Sequence, residues 1–128
     1  MLDGCINQKE NNLKLKLVSL LAATLLLAGC PPPENTARDS IAAAKGVIEQ
    51  AQAEYLEICA ASPNERECQL INDAVAVQNL AIDALNLYCS GSDYLAGGVC
   101  QPNKEYQPRL QEALRNLDGI IKAIKELQ

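Results

Sequence analysis

Four stretches of the chain carry an apolar pattern, one of them continuous and three periodic. Residues Leu17 to Ala28 form twelve positions without a charge, entered from Lys14 and Lys16 and left through Gly29-Cys30-Pro31-Pro32-Pro33. The run is too short to span a bilayer, which takes about twenty residues. An apolar core helix is the plain alternative, and the glycine and three prolines that follow at once argue against it.

The periodic stretches read as helices. Ile41, Ala44, Ile48, Ala51, Tyr55 and Ile58 recur at spacings of 3, 4, 3, 4 and 3, the seam of a bundle helix. This predicts a helix over about 36–60, with Asn35 or Thr36 as its N-cap. Gly46 lies inside it at a cost of up to about 1 kcal/mol relative to Ala, and close approach of a neighbouring helix is the expected reason. Ser62-Pro63-Asn64-Glu65 then supplies a capping Ser, a Pro for the first helical position and a Glu to reach back to the cap, predicting a second helix over about 63–88. Its apolar positions, among them Leu70, Ile71, Ala74, Val75, Ile82 and Leu85, cover more than one stripe. A helix apolar over most of its circumference packs between two neighbours, so this is the middle helix of three. Gly91 suits its C-terminal cap. In the third, over about 105–127, Leu110, Leu114, Leu117, Ile121 and Ile124 are spaced 4, 3, 4 and 3, the strongest amphipathic signal in the chain.

The expected fold is all-α: an up-down-up three-helix bundle over 36–128, preceded by a short proline-rich stalk over 30–35. Helices of roughly 20 to 26 residues rise about 30 to 39 Å, so their lengths match. Three consecutive prolines favour polyproline II, a stiff spacer of roughly 15 Å. A proline-motif ligand is the sharper alternative.

Composition narrows the function. The chain has 128 residues, and removal of the first 29 leaves 99, enough for one small core. With no Phe, no Trp and four Tyr, that core must be built from Ala, Leu, Ile and Val, which favours helix. From Cys30 onward eight basic residues face fourteen acidic ones. So acidic a surface makes nucleic acid an unsuitable partner, because phosphate binding needs a basic face. There is no His, the usual general base and commonest ligand for transition metals. Glu54 with Glu57 and Glu65 with Glu67 read as solvated acids on helix faces, and no serine has a His to activate it. No enzyme, no cofactor and no metal site are expected.

A basic flank, a short apolar segment and small residues at its end describe a secretory signal peptide, covering residues 1–29. Leu27-Ala28-Gly29-Cys30 resembles the lipobox of bacterial lipoproteins at all four positions. The resemblance implies cleavage before Cys30, a diacylglyceryl group on its sulfur and, in some members, a third acyl chain on its amine. One acyl chain anchors marginally, whereas two or three make release from a membrane very slow. By the family's sorting habit, Pro31 rather than Asp after the lipidated Cys permits transfer to an outer membrane, where there is one, facing the periplasm or the cell surface. The segment before Lys14 departs from the pattern, with Asp3, Glu10 and Cys5; a start nearer Leu13 would give a compact basic flank.

Apart from Cys5 and Cys30, four cysteines remain, at 59, 68, 89 and 100, and in an exported domain four read as two disulfides. Three pairings are possible. Cys59–Cys68 with Cys89–Cys100 is preferred because each joins neighbours across a helix junction, contributing roughly 2 to 3 kcal/mol apiece in the chain-entropy model. There is no CxxC for thiol exchange.

The candidate interaction site is the Gly- and Pro-rich loop Ser90–Asn103, which offers Tyr94, Leu95 and Val99. If the first helix rises from an anchored Cys30, this loop lies at the membrane-proximal end, and the Cys59–Cys68 tip and Gln128 lie away from it. Tyr94 and Leu95 then either rest at the lipid headgroups or pack back on the bundle end. The expected role is a membrane-tethered structural or protein-binding component of the bacterial cell envelope, with the membrane and an envelope protein as partners. A periplasmic ligand-binding or inhibitor module is the alternative, and it predicts a concave pocket between helices.

Overall fold

The computed structural model describes residues 31–128, so the signal peptide expected over 1–29 and Cys30 lie outside the described residues. The described residues form four helices: α1 (Pro33–Glu54), α2 (Leu56–Ala61), α3 (Arg66–Tyr88) and α4 (Gln107–Lys125), the last entered through a 3₁₀ turn at Lys104–Tyr106. Among the described residues there is no strand.

α1 begins at Pro33, earlier than its periodicity alone predicts, and takes Glu34 and Asn35 out of the expected stalk. Proline is tolerated at the first helical position because the N–H it lacks would have had no intrahelical acceptor. Pro32 stays extended at φ −52°, ψ 143°, and its carbonyl accepts from the N–H groups of Asn35 and Thr36 at 3.0 and 3.2 Å. Neither Asn35 nor Thr36 is an N-cap; Thr36 is buried in the first turn.

The seam of α1 buries Ile41, Ala44, Ile48 and Ala51 and ends at Tyr55, where φ −99°, ψ 7° separates α1 from α2. Hydrogen bonding runs on through the break, from Tyr55 N–H to Ala51 at 3.0 Å and from Cys59 N–H to Tyr55 at 2.8 Å. Ile58, expected in the seam, is instead 49% exposed, and α2 buries none of its residues. The cause is at the other end of the chain. The Tyr55 hydroxyl donates to the carbonyl of Leu127, just past the end of α4, so α2 has no α4 surface left to pack on.

The capping box expected at Ser62 does not form. Glu65 N–H donates to Ser62 C=O at 3.1 Å, which makes Ser62–Glu65 a turn with Pro63 in its second position, and α3 starts only at Arg66. A proline φ serves the second position of a turn and the first of a helix equally well, so the sequence signal is the same for both.

α1, α3 and α4 pack on one another pairwise. Leu85, Leu110, Leu117 and Ile124 are the largest fully enclosed apolar side chains, each contributing about 1.5–3 kcal/mol by burial. Ala37, Ala51, Ala74 and Ala81 are fully buried between them. α3 is not covered all round, because Leu80 is 60% exposed. Gly46 also differs from expectation: it is exposed, and a Cβ there would meet nothing within 4 Å, so no neighbouring helix requires it.

Candidate functional site

The interaction loop is built on the end of α3. Cys89 N–H donates to Leu85, Ser90 N–H to Leu87 at 3.1 Å and Gly91 N–H to Asn86 at 2.7 Å, the paired bonds of a Schellman stop. The left-handed residue of that stop is Ser90, at φ 59°, with Gly91 one position beyond it. The expected glycine cap is thus displaced by one. Ser90 remains there because its hydroxyl donates to the Gln101 carbonyl at 2.7 Å.

Two further ties close the loop's base: the Cys89–Cys100 disulfide and the bond from Asn103 N–H to Tyr88 C=O at 2.7 Å. Within the loop, the Asp93 carboxylate accepts from Ala96 N–H at 3.1 Å and the Asp93 carbonyl from Gly98 N–H at 2.9 Å. Gly98 is required there, since a Cβ would lie 2.7 Å from the Asp93 carbonyl oxygen. Cys59–Cys68 is the second disulfide, across the α2–α3 junction.

The loop lies against the first turns of α1. The Tyr94 hydroxyl donates to the Asn35 side-chain oxygen, and the Arg38 guanidinium sits 5.6 Å from the centre of the Tyr94 ring. Arg38 also pairs with Asp39 at 3.3 Å. Tyr94 and Leu95 are half-buried against the core, so of the three candidate residues only Val99, 80% exposed, presents its side chain to the surroundings. Nearby, burial pushes the Tyr88 phenol above its ordinary value near 10, and the Glu34 carboxylate adds in the same direction.

A second feature lies between α1 and α4: an open groove of about 530 Å³. Ala43 and Val47 of α1 and Leu114 and Gly119 of α4 supply its apolar lining. Arg115, Lys122 and Lys125 stand along it with Asp118, which is bonded to Lys122 at 3.0 Å. Amphipathic spacing predicts the helices but not this gap, which arises where small residues of two helices meet.

Of the acidic pairs, Glu54 accepts from the side-chain amides of Gln50 at 3.0 Å and Gln128 at 3.2 Å, and among the described residues no group of three His, Cys, Asp or Glu side chains could hold a metal ion. No described helix is long and apolar enough to cross a membrane. Sequence reasoning missed Asn35 and Arg38, whose positions on α1 face the loop only once the tertiary fold is made. Comparison with family models, curated proteins and solved structures finds no match to this chain.

Proposed function

We propose that this chain is a bacterial lipoprotein, tethered through lipid on Cys30, whose up-down-up helical body acts as a structural or protein-binding component of the cell envelope. The observation that carries the reading is Leu27-Ala28-Gly29-Cys30 at the end of an uncharged run, three positions before the first residue of α1. Two disulfides support it, because such bonds persist in exported proteins and are rare in reducing compartments. On this reading the Tyr94 loop, which sits at the α1 end, faces the membrane and Val99 is its apolar contact. The Cys59–Cys68 junction and the C-terminus point away. No reaction is assigned.

Binding would use helix surface, and α1 exposes Ala42, Ala43 and Ala53, small residues over which a partner helix can approach closely. A ligand-binding or inhibitor role is the second reading, favoured by the α1–α4 groove, whose volume falls in the range of small-molecule sites.

The test is detergent-phase partitioning of the full chain made in a bacterium, beside its Cys30→Ser variant. Wild type is expected in the detergent phase with its first 29 residues removed, and the variant unprocessed and without lipid. Equal partitioning and equal processing of the two would reject the anchor.

A further inference from the structure

The α1–α4 groove changes character along its length. Gln111 and Arg115, four positions apart and so on one face of α4, border one end together with Ser40. From there toward Lys125 the floor is made by buried Ala44, Leu117 and Ile121, walled by half-buried Val47 and Leu114. Ser40, Ala43, Ala44 and Val47, the α1 residues that line the groove, carry no charge, so every charge in its lining comes from α4. Three cations against one acid, in a chain of net charge −5, make the groove a local reversal of sign.

Those charges are not equivalent. Asp118 and Lys122 are bonded to each other at 3.0 Å and cancel, and Lys125, in the last turn of α4, faces the negative end of the helix dipole. Arg115 has neither use. It stands mid-helix and exposed, with no hydrogen-bond or ion-pair partner among the described residues. Glu112, three positions before it, turns toward α3 instead and lines a separate hollow with Arg109. Arg115 to Lys125 is ten positions, about 15 Å of helix. One leaflet's acyl chains cover the same length, half of a hydrocarbon core about 30 Å thick. The groove's volume of about 530 Å³ is that of a small-molecule site, and a helix, about 10–12 Å across, would stand mostly outside it.

We propose that the α1–α4 groove binds a single-chain anionic amphiphile, a fatty acid, with its carboxylate on the Arg115 guanidinium and its chain laid over Ala44, Leu117 and Ile121 toward Lys125. A planar guanidinium takes a carboxylate through two parallel N–H···O bonds, and the Gln111 amide stands one turn away to donate a third. One cation without a partner answers one negative charge, so a carboxylate suits the site better than a phosphate monoester, which carries about −1.5 to −2. The assignment rests on the ligand-binding reading of this groove, gives it a ligand class, and does not depend on lipid at Cys30.

The test holds the full chain, produced in a bacterium, in nanodiscs of phosphatidylcholine and adds dodecanoate with a photoreactive diazirine on its chain; labelled peptides are mapped by mass spectrometry. Saturable labelling is expected within residues 43–47 and 114–121. Unlabelled dodecanoate should compete about tenfold better than dodecylamine, the worth of one charge-assisted pair. Arg115→Gln should abolish that preference and leave labelling by a photoreactive dodecanol unchanged, which a misfolded variant could not do. Ala43→Trp, at an exposed position, should block groove labelling by both probes. Groove labelling without preference for the carboxylate, or a preference that survives Arg115→Gln, would overturn the proposal and leave a ligand-binding groove standing. Labelling confined to residues 90–103, or insensitive to Ala43→Trp, would overturn both. Partitioning of Cys30→Ser reads the anchor separately.

Discussion

The hydroxyl of Tyr55 donates to the backbone carbonyl of Leu127 at 3.1 Å, across 72 positions of sequence. One side chain thereby marks the end of the α1 seam, holds the last residues of the chain and fixes where α2 leaves the bundle. Tyr55→Phe keeps the ring and removes the bond, so a loss of about 1 kcal/mol is expected. For a domain this small, that lowers Tm by about 4–8 °C. Thermal unfolding by circular dichroism measures it, and amide exchange at Leu127 and Gln128 should quicken.

The periodicity of α1 assigns Ile48 and Ile58 the same role, and the structure does not: Ile48 is 2% exposed and Ile58 49%. Ile48→Ala is expected to cost about 2–5 kcal/mol through lost burial and the cavity left behind. Ile58→Ala should stay within about 0.5 kcal/mol, as exposed substitutions do. Urea unfolding of both variants decides it, and equal costs would place Ile58 in the core.

The two disulfides should differ in their response to reductant. Each bond joins one buried cysteine, Cys68 or Cys89, to one half-buried, Cys59 or Cys100, but Cys59 stands on α2, which buries none of its residues, whereas Cys100 closes a loop tied to α3 by the Asn103–Tyr88 bond. Mild thiol is therefore expected to open Cys59–Cys68 first, since exchange requires access to a sulfur. Timed alkylation and peptide mapping give the order. Cys89→Ser with Cys100→Ser should be the more costly pair of substitutions, exceeding the roughly 2–3 kcal/mol of loop closure because Cys89 packs in the central core cluster, to which the buried Cys68 does not belong.

Burial raises the Tyr88 phenol above the value it has in the unfolded chain. Above about pH 10 the unfolded state therefore loses its proton while the folded state keeps it, and stability falls as pH rises further. Its full contribution is present below that point. Tyr88→Phe should flatten this alkaline decline, read as the change in urea midpoint between neutral pH and the alkaline range. An unchanged slope would assign the decline to other groups.

The parts of the fold readable from sequence are those set by one helix at a time. The 4-3-4-3 spacing of α4 places Leu110, Leu114, Leu117, Ile121 and Ile124, all buried except Leu114, which is half-buried beside the groove, and the spacing of α1 places the buried Ile41, Ala44, Ile48 and Ala51. Boundaries were less legible because single residues serve two local structures: Pro33 starts a helix where a polyproline spacer was equally satisfied, and Pro63 enters a turn where a helix start was. The cap at Ser90 was hidden for a different reason, since its left-handed φ is sustained by a bond to Gln101, eleven positions away. In the candidate loop, Tyr94 and Leu95 are apolar residues in a polar stretch, a pattern shared by headgroup contact and by packing on the bundle. Only the α1 side chains of Asn35 and Arg38, supplied by the fold, separate the two.

On the proposed function Cys30 becomes the lipid-bearing first residue of the working protein, and the most direct measurement is the mass of the N-terminal peptide from protein extracted with membranes. The expected peptide begins at Cys30 and carries added diacylglyceryl mass, with residues 1–29 absent. A peptide running unmodified through Leu27-Ala28-Gly29-Cys30 into Pro31 would contradict the account.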